Sequence, residues 1–276
     1  MHFGVTIFLT DQTIGPVELA RAIEERGLYS LYIPEHTHIP VSRRTPPPTG
    51  NAELAEEYKR TLDPFVALSA AAAVTERVRV GTGICLVAQR DPIVTAKAVA
   101  TLDHLSGGRF VFGIGFGWNE DELSDHNVTM PERRDVTRER VLAMRALWRD
   151  DVAEFHGDHV ELPPSWSWPK PARRGGPPVL IGGAAGPKLF RHIAEYADGW
   201  IPIGGAGVRD AIPKLQEACA EFGRDPSSLR IVPFGTIPDA GKIEYYESLG
   251  IDEVVLRIPG GTADRVLPLL DRYAEL

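Results

Sequence analysis

The sequence predicts an α/β protein of the (β/α)8, or TIM-barrel, class, and three observations predict it. Strand-like apolar segments and capped or amphipathic helical segments alternate eight times along the chain. The 276 residues suit one such barrel, which typically needs roughly 250. Glycine-rich or charged loops follow the strands, at the end where barrels carry their ligand sites. Residues 1–276 are therefore read as one domain, with an open doubly wound sheet as the alternative arrangement of the same alternation.

Residues 3–9 cluster strand formers, and Pro16 opens a helix that stops at Gly27. Residues 29–33 make a second apolar strand, broken by Pro34, which hands over to Glu35 and His36. The stretch 36–61, with its TPPPTG and AELAEEYKR runs, is far longer than an ordinary connection and reads as a lid over the strand ends. Asp63 and Pro64 start a helix through residue 74, and residues 77–84 (RVRVGTGI) form the third strand. Pro92 opens a helix to residue 105 that closes on Ser106, Gly107 and Gly108. Residues 110–114 are the fourth strand, and Val136, Val141, Met144, Leu147 and Trp148 recur at helical spacing over 132–148.

A β-hairpin inserted before the fifth strand is expected at 152–155 and 159–162, around an HGD turn. Its His156, Asp158 and His159 read as turn residues rather than metal ligands, since no ligand-bearing helix accompanies them. After the proline-rich connector SWSWPKPARRGGPP, strands at 179–181, 199–203, 229–234 and 252–258 alternate with helices at 187–197, 208–222, 240–249 and from PGGTAD to residue 273.

Charged residues make up 25% and apolar residues 43%, the balance of a soluble globular chain. A net charge of −8 with a pI near 5.5 argues against a general nucleic-acid or anionic-membrane surface, while leaving room for local basic pockets. Cys85 and Cys219 stand far apart, with no CxxC pair, and read as reduced thiols of a cytoplasmic protein. The start MHFGVTIFLTD has no signal-peptide pattern, and the small-apolar stretch 66–74 is too short to span a bilayer.

Candidate chemistry gathers at the strand ends. GGRFVFGIGFGWNEDE (107–122) runs from a buried strand into Gly113, Gly115 and Gly117, then delivers Trp118, Asn119 and Glu120, so a small planar molecule could bind there. The spacing is GxGxG without a following acidic strand end, which is not a Rossmann fingerprint. GGAAGPK (182–188) and PGGTAD (259–264) each place free backbone N–H groups at a helix start, able to hold a phosphate or simply to turn and cap. No nucleophile elbow, HExxH or clustered carboxylate set is present, so the chemistry is assigned to a bound cofactor.

Three stretches carry a family resemblance: GLYSLYIPEH, RVRVGTGICLVAQRDPIVTAKAVATLDHLSGGRFVFGIGFGWNEDE and VLIGGAAGPKLFRHIAEYADGW. The chain resembles the luciferase-like flavin and deazaflavin oxidoreductases, in particular the mycobacterial-type branch dependent on coenzyme F420. The resemblance implies a barrel with a wide mouth, often a homodimer, and a non-prolyl cis peptide at the end of strand three that bulges against the ring. That places Thr82, Gly83 and Ile84 at the cofactor. It also implies that Glu35 and His36 lie at the reactive edge, that Gly115, Gly117 and Asn119 contact ring or tail, and that Gly182, Gly183, Gly186 and Lys188 hold phosphate.

Two departures matter. Glu35 stands where several relatives carry aspartate, and Trp118 stands where the sugar-phosphate dehydrogenases carry a catalytic glutamate. Indole cannot replace a carboxylic acid in proton transfer, so glucose 6-phosphate oxidation is not expected. Phe116 and Trp118 point to a partly apolar or aromatic substrate. The expectation is hydride transfer between coenzyme F420 and a small organic molecule, with His36 assisting proton movement. The alternatives are a monooxygenase using reduced FMN and oxygen, and a non-catalytic flavin-binding protein.

Overall fold

The computed structural model describes residues 1–42, 44–46, 53–205 and 207–276. Residues 43 and 47–52 of the expected lid, including most of TPPPTG, and residue 206 lie outside the described residues. The first half of the chain runs β1 (His2–Thr6), α1 (Pro16–Glu25), β2 (Ser30–Ile33), α2 (Pro64–Ala72), β3 (Arg79–Thr82), α3 (Pro92–Leu105) and β4 (Phe110–Ile114). It continues through α4 (Glu120–Asp125), α5 (Arg133–Arg149), β5 (Ala153–His156), β6 (Glu161–Ser165), β7 (Val179–Gly182), α6 (Pro187–Tyr196) and β8 (Gly199–Ile201). The last elements are α7 (Val208–Glu221), β9 (Arg230–Ile231), β10 (Phe234–Thr236), α8 (Ala240–Glu247), β11 (Glu253–Arg257) and α9 (Ala263–Ala274).

Local chemistry explains several starts. Asp63 caps α2 by accepting from the N–H groups of Phe65 and Val66 at 2.9 and 3.0 Å, and Asp91 caps α3 by accepting from Val94 at 2.8 Å. In both cases the next residue is a proline, whose missing N–H costs nothing in a first turn. The Asp-Pro pairs therefore fix where these two helices enter.

The nine paired strands run in the order β10-β11-β1-β2-β3-β4-β7-β8-β9, and every pairing among them is parallel. The two ends of this series are neighbours along the chain. A single strand was expected at 229–234, but β9 and β10 are separate, because Pro233 has no N–H to give a ladder. Val232 and Phe234 still donate to Trp200 and Pro202 at 2.9 Å each, and Val255 donates to the Pro233 carbonyl at 2.9 Å. The parallel sheet thus curls round on itself in a TIM-barrel-type fold. Outside it, β5 and β6 pair antiparallel.

Both faces of the sheet are dry. Alternate strand residues Tyr32, Val111, Leu180, Ile201, Phe234 and Val255 pack together inside the curl. Their strand neighbours, such as Leu31, Phe110, Val179 and Leu256, pack outward under the helices. Among the described residues no helix is long and apolar enough to cross a membrane.

Candidate active site

The C-terminal strand ends open into a cavity of about 1380 Å³. Ile7 and Phe8 after β1, Gly83 after β3, Ile203 after β8, Phe234 of β10 and Ile258 after β11 form its walls. Tyr58, in a short 3-10 turn at Glu56–Lys59, adds a side contributed by the long segment after β2. Small-molecule sites commonly occupy about 300–1,000 Å³, so this space admits a large planar cofactor together with a second molecule. Ile203 is 62% exposed, an apolar side chain left open at the mouth.

The strand-three bulge is present. The Gly83–Ile84 peptide bond is cis, and Gly83 lies on the cavity wall. Ile84 packs where Gly115 and Gly182 have no side chain: a Cβ on either would stand 2.5 or 2.8 Å from an Ile84 methyl carbon. These glycines are needed for close approach to one isoleucine. Thr82 is fully buried and donates its hydroxyl to the Gly113 carbonyl at 2.7 Å, so its side chain ties β3 to β4 rather than facing a ligand.

His36 is held. Its Nδ1 lies 3.0 and 3.1 Å from the two oxygens of Glu122, a residue only 1% exposed. An ionised carboxylate only accepts, so Nδ1 carries the hydrogen and Nε2 is the free nitrogen of the neutral ring. The described residues offer Nε2 no hydrogen bond. The ring sits 5.2 Å from Tyr58 and 6.1 Å from Trp118, between the cavity wall and the loop after β4.

Glu35 does not share that position, and its expected catalytic role needs correction. It is 3% exposed, with Oε1 accepting from Arg90 Nε at 2.5 Å and Oε2 from the Leu86 N–H at 2.7 Å. Arg90 in turn donates to Asp63 at 2.7 Å. Both carboxylate oxygens are used in joining β2 to the loop after β3, so Glu35 acts on architecture.

Asn119 and Phe116 are also turned from the cavity. Asn119 is fully buried and caps α4, its Oδ1 accepting from Asp121 N–H at 3.2 Å. Phe116 is 7% exposed, covered by the Arg134 guanidinium at 4.2 Å and by His192 at 5.2 Å. Trp118 is the member of that stretch whose ring stands beside His36. Gly117 begins the turn between them with a φ of 77°.

In the loop 182–188 Gly186 caps α6. The N–H groups of Ala184, Ala185, Gly186, Lys188 and Leu189 donate to no described residue, and Lys188 is exposed, so an oxyanion could be held here. The loop stands at the mouth end of β7, outside the cavity's walls. No group of three or more His, Cys, Asp or Glu among the described residues could hold a metal.

Sequence reasoning missed Glu122, Arg90 and Tyr58. Glu122 had one signal, the Asn-x-x-Glu spacing of a helix cap at 119–122, although its carboxylate turns to His36 instead. Burial and the neighbouring Arg134 push His192 down from its ordinary 6.5 to about 4. The unfolded chain then binds more protons than the fold as the pH drops. Stability from this neutral imidazole is complete above about pH 6.5 and declines toward about pH 4. We expect His192→Gln to flatten the fall in Tm across that window, and an unchanged acid limb would contradict the assignment.

Residues 13–238 match the family model described as luciferase-like monooxygenase. The chain belongs to the luciferase-like monooxygenase family. It is 44% identical over 279 residues to an uncharacterized protein of Mycobacterium tuberculosis, covering 99% of this chain and 98% of that one. Two solved structures of the luciferase-like fold superpose over nearly the whole length. The monooxygenase RslO1 from Streptomyces bottropensis does so with a TM-score of 0.79 and 20% identity, covering 100% of this chain and 98% of that chain. An F420-dependent secondary alcohol dehydrogenase, in complex with an F420-acetone adduct, does so with a TM-score of 0.78 and 21% identity, covering 99% and 97%. At these identities the two structures speak for the fold. The family itself consists of oxidoreductases that use F420 or FMN.

Proposed function

We propose that the protein is an oxidoreductase that binds coenzyme F420 at the barrel mouth and exchanges hydride with a small, partly apolar organic substrate. The observation that carries this reading is His36, fixed by Glu122 with Nε2 free, beside a cavity large enough for cofactor and substrate together. The cavity suits a planar group: Phe8, Phe234 and Ile258 offer apolar walls, and Gly83 leaves one wall bare. When bound, a deazaflavin supplies hydride chemistry that no side chain here could provide.

The chain's own residues have separate tasks. Ile7, Phe8 and Phe234 exclude water, and Tyr58 closes the side against which His36 rests. His36 gives or takes, at Nε2, the proton that accompanies hydride movement. Lys188 and the free N–H groups of 184–189 hold the phosphate. Buried, unbridged Cys85 and Cys219 suit a reducing, cytoplasmic setting.

Anaerobic fluorescence titration with oxidised F420 and, separately, FMN tests the proposal. F420 is expected to bind, and Gly182→Val, which drives a side chain into Ile84, to weaken it by about tenfold or more. Preference for FMN, with oxygen consumed on reduction, would replace this reading by the monooxygenase one. Binding of neither molecule would end both.

A further inference from the structure

The opposite end of the barrel carries a feature that the mouth chemistry does not use. Two cavities, of about 420 and 520 Å³, lie at the N-terminal ends of the strands and share Arg173, Pro178 and Arg230. Together they are lined by six arginines, Arg79, Arg145, Arg149, Arg173, Arg174 and Arg230. The carboxylates on the same walls are Asp198, Asp252 and Glu253. A basic trench therefore sits on a chain whose net charge is −8.

Arginines with architectural roles in this protein are occupied. Arg109 donates to the carbonyls of Ala72, Thr75, Val78 and Ser106, and Arg140 to those of Val87, Ala88 and Arg90. The trench differs. Among the described residues the guanidinium groups of Arg79, Arg173 and Arg174 make no ion pair and no hydrogen bond. Glu253 is spent on Arg230 and on the Ser30 hydroxyl at 2.6 Å, yet Arg230 Nη1 remains buried without a partner. Arg145 pairs with Asp198 at 2.6 Å, and its Nε is likewise buried and unpartnered.

The cations also repel one another. Burial, with Arg79 and Arg230 nearby, holds the Arg173 guanidinium below its ordinary value. Crowding like charges around a half-enclosed space costs stability unless an anion offsets it. Planar forks suit phosphate oxygens in particular, because each can donate two parallel hydrogen bonds. Beside them, His2 and Tyr29 stack with centroids 4.2 Å apart, and Arg79 lies 5.1 Å from the Tyr29 ring.

We propose that this trench is a binding site for a compact oxyanion of two or more charges, a small phosphorylated molecule, at the end of the barrel remote from the catalytic mouth. It is independent of which cofactor the mouth takes. Arg79 and Arg173 are its free donors, and Arg230 supplies the buried N–H.

Inorganic pyrophosphate is the probe, titrated calorimetrically into the full chain at fixed ionic strength. Binding is expected, with affinity falling by about tenfold or more in the Arg79→Gln/Arg173→Gln double variant and F420 binding unchanged. Should that variant fold poorly, phenylglyoxal labelling of the wild-type protein, read by mass spectrometry, should show pyrophosphate protecting Arg79 and Arg173. Absence of binding at about 10 mM, equal affinity in the variant, or no protection would overturn the proposal. So would a single-stranded oligonucleotide that binds more tightly than pyrophosphate, since the trench would then be an extended polyanion surface.

Discussion

Arg90→Ala is expected to cost the fold about 3–5 kcal/mol. The reason is what remains behind. Glu35 is 3% exposed and would be left in a dry site without the guanidinium from which it now accepts. Asp63, the cap of α2, would lose its link to the loop after β3, and Phe65 would lose the guanidinium 4.8 Å above its ring. For a chain of this length a loss of that size lowers Tm by on the order of 10 °C.

A control separates an orphaned charge from a generally damaged loop. In Arg90→Met/Glu35→Met no ion is buried, and a neutral pair of similar bulk recovers much of the loss. Thermal unfolding of both variants gives the answer. A double variant no better than Arg90→Ala would mean that the network matters through its geometry rather than its charge.

The second large effect falls on turnover. His36→Ala is expected to lower kcat by about 10²–10⁴-fold, the usual contribution of a placed acid–base group, while cofactor affinity changes little. Glu122→Gln tests how the ring is held. An amide can donate to Nδ1 as well as accept, so the ring is no longer compelled to keep its hydrogen there, and kcat should drop by about tenfold or more with KM nearly unchanged. Single-turnover and steady-state rates, measured with a substrate found by screening, decide it. Full activity in His36→Ala would remove this residue from the chemistry.

Some of this site was open to reading. His36 follows a short apolar strand ended by Pro34, and a barrel strand puts such a residue at the mouth without help from elsewhere. The Asp-Pro helix starts at 63–64 and 91–92 follow from capping alone. Gly115 and Gly182 were noticed as glycines, but the reason for them, the Ile84 side chain, lies on another strand. The split between β9 and β10 has a signal in the sequence, Pro233, which cannot donate to a ladder.

What the chain determined by itself was its alternation of strands and helices, and with it a barrel whose strand ends gather into one mouth. Those features depend on hydrophobic period, proline and glycine stereochemistry and capping, all settled within a few residues of each other. Tertiary structure alone decided which polar groups far apart in the chain are partners. Glu122 reaches His36 across 86 positions and Arg90 reaches Glu35 across 55. The six arginines of the basal trench are scattered between positions 79 and 230. Pairing of this kind arises when groups lose water together, and that depends on where the folded backbone carries them rather than on their spacing in the chain.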